Sequence, residues 1–521
     1  MILPVQRAIN DAIVDALQRL YGVVDIPPFA VEVPPNRALG DLAVTVAFQV
    51  ARTLRKAPRA IALELAAAIG TPPGVSRIVA APNGYLNVYL ERPAFLLARL
   101  RGEIPAPPAS PDKTIVEHTA INPNKAAHIG HLRNAALGDT LARVMTFRGT
   151  PVEVQNYIDD LGVQVADIVV GFKEIEQRSL AEIATIAETT RFDYYCWDLY
   201  AKVTEWYEGD KERLTVRAAV LHDLEHGGNE TADAAAVIVD RIVRAHLKTM
   251  TRLSIGYDLL TYEGDILRLQ FWARAFEILK ATGALFLQTE GKLAGCWVMR
   301  IDDKQSVEDA KGAEDAEGAR DAEAAGTTSA NGVETGDAVE PEAREKVIVR
   351  SNGVVTYVGK DIANQFWKFG LLGRDFNYRF FAEQAGGRPL WSTTSGKGDP
   401  GAPPFGRATR IYNVIDSRQM YLQALLSQAL RTLGHAVEAD NSIHFSYEMV
   451  ALSHATAREL GYAAPAGEDA AKPFVEVSGR KGLGVKIDDL LDLLIDKASG
   501  EVAKRNPELA AEACRTAASQ I

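Results

Sequence analysis

Residues 117–148, EHTAINPNKAAHIGHLRNAALGDTLARVMTFR, constrain the fold more than any other stretch of the chain. They follow the apolar run Lys113-Thr-Ile-Val116 and carry the tight cluster His128-Ile-Gly-His131 before the pattern turns helical. Leu132, Ala135, Ala136, Ala142, Val144 and Met145 supply an apolar face, and Gly149 is a natural stop just past the end. Residues 151–157 then alternate as a strand does. The spacing predicts strand, loop, helix, strand: a βαβ unit with two histidines at a helix N-terminus. Such an end concentrates unpaired N–H groups and the positive end of the helix dipole, which suits phosphate. With Gly130 between the imidazoles, a ligand can approach the backbone closely, and a nucleotide site is the expectation.

A chain of 521 residues predicts several domains and a large core. Its apolar fraction of 47% and charged fraction of 24% are those of an ordinary soluble globular protein. No apolar run approaches the roughly 18 residues of a membrane span, and the N-terminus lacks the basic segment of a signal peptide. Three cysteines, Cys196, Cys296 and Cys514, lie far apart and suggest neither a disulfide framework nor a metal site. A cytoplasmic protein with no membrane partner and no resident metal is expected. The net charge of −11 does not exclude a nucleic-acid partner, because residues 302–345 hold 14 acidic and 4 basic residues, a net of −10.

Residues 1–102 read as a small α+β domain, with helices at 4–21, 40–56 and 60–69 and strands at 29–33, 75–80 and 85–90. The Pro-rich, aperiodic segment EIPAPPASP makes residues 103–111 a linker. Residues 112–486 read as an α/β domain with a parallel sheet. A helical insertion is expected over 191–250; the aromatics Phe192, Tyr194, Tyr195, Trp197, Tyr200, Trp206 and Tyr207 are expected to pack its core rather than to stack on bases. Residues 302–345 lack large apolar side chains and read as a disordered acidic insertion between strands at 296–300 and 346–350. Further on, the patterns predict strands at 354–358 and 410–415, helices at 361–370 and 419–433, and a surface loop over 391–404. A Gly-rich basic loop, Val477-Ser-Gly-Arg-Lys-Gly-Leu-Gly-Val485, precedes a helix from Asp488.

At this point the residues become recognisable. Asn122-Pro-Asn-Lys-Ala-Ala-His-Ile-Gly-His131 resembles the HIGH signature of class I aminoacyl-tRNA synthetases, and its flanks resemble those of the arginyl enzymes. Glu117 stands five residues before Asn122, as in that family's arginine pocket. Asp160-Leu-Gly-Val-Gln164 is similar to its D-x-G-x-Q element, Tyr357-Val-Gly-Lys-Asp361 to its Y-x-x-x-D pair, and Ser417-Arg-Gln419 to its glutamine-bearing strand end. Ser478-Gly-Arg-Lys-Gly482 lies where the family carries a variant KMSKS loop. The resemblance covers nearly the whole chain, since Gly40-Asp-Leu-Ala43 and Gly84-Tyr-Leu-Asn87 also look like its N-terminal domain. No one of these motifs is specific alone; their order and spacing are.

The resemblance implies a Rossmann-like arginine–tRNA ligase that forms arginyl-adenylate from arginine and ATP and then charges the 3′-terminal ribose of tRNA. ATP would bring its Mg2+. Adenylate formation is attack of a carboxylate on a phosphate, where catalysis is positioning and electrostatics. The family assigns ATP to His128, Gly130, His131, Ser478, Gly479, Arg480 and Lys481, with the two histidines donating to phosphate oxygens and Arg480 and Lys481 meeting the leaving pyrophosphate. Lys125 replaces the lysine that the basic loop lacks. For arginine, Asp361 takes the guanidinium in a two-pronged contact. Tyr357 and Gln419 line the same pocket, as do Asp160 and Gln164. Glu117 and Asn122 hold the α-amino group. A synthetase-like paralogue that binds or adenylates a small molecule without charging tRNA is the alternative. It is motivated by the C-terminus: residues 487–521 resemble the start of a helical anticodon-binding domain of which most is expected to be lacking.

Overall fold

The computed structural model describes residues 3–23, 26–103, 109–300, 345–351, 353, 355–448, 450–459, 474–476 and 484–521. It divides into two compact units, Met1–Pro107 and Pro108–Ile521.

In the first unit a four-stranded antiparallel sheet runs β1 (Val31–Glu32), β2 (Leu42–Val44), β4 (Leu86–Leu90), β3 (Val75–Ala80) in space. Helix Leu3–Tyr21 lays Ile9, Ile13 and Leu17, at helical spacing, against Leu42, Val44, Leu86 and Val88 of the sheet. The predicted helix over 40–56 is corrected: it splits into β2 and helix Val46–Leu54. Gly40 enters β2 at φ 112°, where an added Cβ would come 2.8 Å from the Val88 carbonyl, so the chain is laid onto β4 before it can coil.

The second unit is an α/β fold around a seven-stranded sheet. Its strands are β5 (Thr114–Glu117), β6 (Val152–Ile158), β7 (Leu259–Tyr262), β11 (Asn377–Glu383), β12 (Pro389–Thr394), β13 (Arg410–Asp416) and β14 (Ser442–Tyr447); a smaller antiparallel sheet is made by β8 (Phe286–Leu287), β9 (Trp297–Arg300) and β10 (Glu345–Val349). The large sheet has the order β11-β12-β7-β6-β5-β13-β14, parallel throughout except for the edge pair β11/β12. Both faces are covered, as a parallel sheet requires. In β5, Val116 packs with the helical insertion while Ile115 packs on the other side with Phe366, Trp367 and Leu425.

Sheet order runs from β5 through β6 and β7 to one side and through β13 and β14 to the other. This reversal makes the crevice at the carboxyl ends of β5 and β13 the place where such sheets receive ligands. The insertion between β6 and β7 holds helices Val163–Val170, Leu180–Thr189, Phe192–Gly209, Leu214–His226 and Glu230–Arg252. Phe192, Trp197, Tyr200 and Tyr207 are buried in its core, as expected of packing residues.

Two further sequence readings are corrected. Residues 389–394, placed largely in a loop, form β12, because parallel pairing with β7 gives that short segment partners that local composition does not announce. Of the strand expected over 354–358, residues 355–358 do not form one: Val355 forms only an isolated bridge to Val349, and helix Tyr357–Lys368 begins at Tyr357. The acidic stretch 301–344 lies outside the described residues.

Candidate active site

His128 is the N-cap of helix Ile129–Phe147. Its Nδ1 accepts from the Gly130 N–H at 3.2 Å, while Nδ1 of His131 accepts from the His128 N–H at 3.2 Å. The two rings stack with centroids 3.7 Å apart. Burial, with smaller contributions from Lys125 and His246, pushes His128 down to about 4, and burial and His128 hold His131 well below the usual imidazole value. Both rings are therefore neutral near pH 7. Since each Nδ1 is an acceptor, each proton resides on Nε2, leaving two N–H donors at a helix N-terminus.

Lys125 precedes this cap and is buried. Its ammonium lies 4.4 Å from the Tyr200 ring centroid and 5.9 Å from that of Trp197, and 3.5 Å from Asn124 Oδ1. The backbone around it is fixed by His246, whose Nε2 donates to the Lys125 carbonyl at 2.7 Å, and by the Ala126 N–H on the Asp193 carbonyl at 3.0 Å. Backbone bonds from Ile129 N–H to the Val485 carbonyl and from Ile487 N–H to the Ala127 carbonyl tie the segment after the basic loop to the histidine motif. Ser478, Gly479, Arg480 and Lys481 themselves lie outside the described residues.

The second half of the site is a nest of buried charge. Glu117, the last residue of β5, has Oε1 2.8 Å from Lys368 Nζ, whereas its buried Oε2 has no hydrogen-bond partner among the described residues. Lys368 also donates to Asn413 Oδ1 at 3.3 Å. At the end of β7, Glu263 pairs with Lys360 at 2.5 Å and accepts from the Tyr157 hydroxyl at 2.9 Å. Asp361 is pushed up to about 8 by burial, then by the charges of Glu263 and Glu117, with Lys368 and Lys360 opposing. Asp159 is held well above the usual carboxylate range by burial and Glu263, and its Oδ1 has no partner among the described residues. Its carboxylate lies over Gly162, where a Cβ would meet Oδ2 at 2.2 Å, so no other residue fits there without displacing it. Unpaired carboxylate oxygens in a buried, lysine-buttressed pocket favour a cationic ligand.

A strained link joins the two halves. Directly after β5, Thr119 and Ala120 have φ of 77° and 40°, unusual for residues with a Cβ. Their N–H groups are captured by Asn134 Oδ1 at 2.7 Å and Asn156 Oδ1 at 2.9 Å, and the Thr119 hydroxyl bonds the Tyr257 hydroxyl at 2.7 Å. Asn134 in turn donates to the Val414 carbonyl of β13 at 2.7 Å. The turn between Glu117 and Asn122 is thus clamped by the histidine helix, β6 and β13 together.

Against known proteins, residues 7–90 match the model of the arginyl tRNA synthetase N terminal domain, and residues 101–294 that of the catalytic domain of class I (R) tRNA synthetases. The chain is 35% identical over 497 residues to an arginine–tRNA ligase of Thermococcus kodakarensis, covering 92% of this chain and 68% of that one. It is 33% identical to one of Thermus thermophilus, over 96% of this chain and 72% of the relative. The solved structure of the Thermus thermophilus arginyl-tRNA synthetase superposes with a TM-score of 0.72 at 31% identity, covering 98% of this chain and 74% of that chain.

The chain belongs to the arginyl-tRNA synthetase family.

Set against that family's motifs, the structure gathers Glu117, Asp361, His128 and His131 around the carboxyl ends of the central strands. Tyr357 and Asp361 stand one turn apart on one helix. Asn122 is half-buried in the clamped turn, Gln164 is half-buried in the first turn of helix Val163–Val170, and Gln419 is exposed beyond the end of β13. Asp160 is turned to different partners: it accepts from the Gly264 N–H at 2.7 Å and faces Arg268 at 3.9 Å, in a cavity also lined by Tyr262, Arg379 and Thr393. Burial pushes it up to about 6. Its neighbour Asp159 is the one grouped electrostatically with Glu263, Lys360 and Asp361. Sequence reasoning missed Asp159, Glu263, Lys360 and Lys368. A signal existed for Lys368, seven residues after Asp361 and so on the same helical face, and for Glu263, a charge directly at a strand end.

Proposed function

We propose that the chain charges tRNA with arginine. Arginine and ATP form arginyl-adenylate and pyrophosphate, and the arginyl group then passes to the 3′-terminal ribose of tRNA. The observation that carries this reading is the buried carboxylate cluster of Glu117 and Asp361 at the end of β5, the strand that leads into the helix headed by a stacked pair of neutral imidazoles. Asp361 receives the guanidinium in its ionised form, with Tyr357, Gln419 and Gln164 completing the pocket. The free Oε2 of Glu117, with Asn122, takes the α-ammonium, which leaves the substrate carboxylate directed at the α-phosphate.

His128 and His131 each offer an Nε2–H to phosphate oxygens as charge builds on the pentacoordinate phosphorus, and Gly130 leaves room for the nucleotide. Because these donors need no change of protonation, the stabilisation is preorganised. Arg480 and Lys481, with Ser478 and Gly479 in the basic loop, are assigned to the β- and γ-phosphates, with Lys125 as a further cation near the imidazoles. Mg2+ enters with ATP as part of the substrate. Residues 1–102 are assigned to tRNA contact, and the cytoplasm is the proposed site of the reaction; the three cysteines are unpaired. Among the described residues no helix is long and apolar enough to cross a membrane.

The test is aminoacylation of purified tRNA with labelled arginine. The chain is expected to form arginyl-tRNA, and Asp361→Ala to lose arginine-dependent activity severely while still binding ATP. Absence of charging by the unaltered chain, with ATP binding intact, overturns the reading; unchanged kinetics of the Asp361 variant overturn the pocket assignment.

A further inference from the structure

Between Glu117 and Asn122 the backbone takes a course that its own residues disfavour. Thr119 and Ala120 stand at φ 77° and 40°, in the region where glycine is the usual occupant, yet neither position is glycine. A turn of this kind persists only when its surroundings over-determine it. Two buried amides do so here. Asn134, on the helix that His128 caps, accepts from the Thr119 N–H at 2.7 Å and donates to the Val414 carbonyl at 2.7 Å and the Tyr447 hydroxyl at 3.2 Å. Asn156, in β6, accepts from the Ala120 N–H at 2.9 Å. Aliphatic side chains could fill the same space; only a side chain with an acceptor meets these two N–H groups.

The start of the turn is anchored as well. His118 is fully buried, and the helix packs on it so closely that a Cβ on Gly138 would come 2.3 Å from its own Cβ. Burial pushes this imidazole down to about 3, so it is neutral. Its Nδ1 lies 2.9 Å from the Thr119 hydroxyl, which lies 2.7 Å from the hydroxyl of the buried Tyr257. Gln384 grips the Tyr257 backbone from both sides, accepting from its N–H at 2.9 Å and donating to its carbonyl at 2.7 Å. The turn is therefore fixed from the histidine helix, from β6 and from the segment before β7.

What so firmly held a turn accomplishes follows from the residues on either side of it. Glu117 is held through Oε1 by Lys368, with Oε2 unpaired among the described residues, and Asn122 is half-buried. Fully extended, the chain would carry Asn122 about 17 Å from Glu117, at roughly 3.3–3.6 Å per residue. Two side chains that share one ammonium must instead lie within hydrogen-bond reach of a single atom. We propose, taking the charging reaction above as given, that Asn134 and Asn156 are positioning residues for arginine: by holding Thr119 and Ala120 in the left-handed region they fold Asn122 back toward Glu117, so that both meet the substrate's α-ammonium.

The test is steady-state charging by the full chain, with arginine and ATP varied in turn and thermal melting measured on the same samples. Asn156→Ala removes the acceptor for the Ala120 N–H, and kcat/KM for arginine is expected to fall about 10–10²-fold while KM for ATP stays within about twofold. Adding Ala120→Gly, which adopts this φ without steric cost, is expected to restore most of the loss. An amide that served stability alone would lower the melting temperature without separating the two substrates, and glycine would not rescue its loss. Asn134→Ala is expected to act in the same direction with a larger fall in melting temperature, because Val414 also loses its donor.

Ala120 is exposed and supplies an arm that leaves the core untouched, even if Asn156→Ala does not fold. Ala120→Val puts a β-branched residue where the backbone disfavours it and is expected to lose arginine kcat/KM about tenfold or more. Ala120→Asn, of comparable size but tolerant of the left-handed region, is expected to lose far less. Equal losses for arginine and ATP, failure of glycine to rescue, or Val and Asn variants that behave alike overturn the positioning role. If the unaltered chain charges no tRNA, the proposed function itself fails; if it charges normally and every variant matches it, only the positioning role fails.

Discussion

Replacing Lys368 with methionine removes a charge from one of the driest places in the second unit while nearly preserving its volume. The Lys368 side chain is 2% exposed, its ammonium lies 2.8 Å from Glu117 Oε1, and Glu117 is itself only 13% exposed. Glu117 Oε2 has no partner among the described residues, so Lys368 is the cation that balances this carboxylate at short range. Breaking a buried pair from one side costs about 3–5 kcal/mol, because the remaining charge is neither solvated nor matched. Asn413 keeps its bond to Gln423 at 2.9 Å, so the lost contact on its Oδ1 adds only about 1 kcal/mol.

The expectation for Lys368→Met is therefore a loss of about 4–6 kcal/mol in unfolding free energy, measured by urea titration at pH 7. Adding Glu117→Gln removes the stranded charge, and the double variant should recover most of the loss, giving a coupling of about 2–3 kcal/mol between the two sites. A single-variant cost below about 1 kcal/mol, or a double variant no more stable than Lys368→Met alone, refutes the reasoning that Lys368 is there to balance Glu117.

Burial chiefly pushes the Asp361 carboxyl up to about 8. Between the ordinary aspartate value and about 8 the folded chain holds a proton that the unfolded chain does not, so this group's contribution to stability falls as pH rises through that window. Arginine needs the carboxylate, so its affinity should climb as pH rises toward 8 with release of a proton, by up to about tenfold per unit. Titration calorimetry in two buffers of different ionisation enthalpy detects that proton, and Asp361→Asn should flatten the profile; arginine binding at pH 7 without proton release counts against the assignment. His128→Asn keeps an oxygen able to accept from the Gly130 N–H, so the helix cap should survive within about 1 kcal/mol. It removes the Nε2–H, and the charging rate should fall about 10²–10³-fold. Stability falling along with the rate would mean that the ring serves mainly as a cap.

The βαβ unit at residues 114–158 and the helix that His128 caps were legible because each depends on local periodicity or on residue type at fixed spacing. The aromatic crowd of the insertion was also read correctly as packing, since large rings at helical spacing bury themselves whatever lies beyond. What local pattern could not supply was pairing between distant segments. β12 exists because β7 lies alongside it, and residues 40–56 break into strand and helix because Gly40 is pressed against β4.

The electrostatics of the pocket belong to the same class. Sequence spacing placed Glu117 and Asp361 in one site by family resemblance, but not Lys368, Lys360, Glu263 and Asp159, which come from three elements separated by up to some two hundred residues. Burial raises a carboxylate and a neighbouring lysine lowers it, so whether Asp361 carries charge depends on distances that only the folded chain sets. The sequence by itself determined which groups are present and how the strongly periodic segments fold. The tertiary structure decided which of them share one dry cavity, because the energy of a charge depends on its neighbours in space and not along the chain.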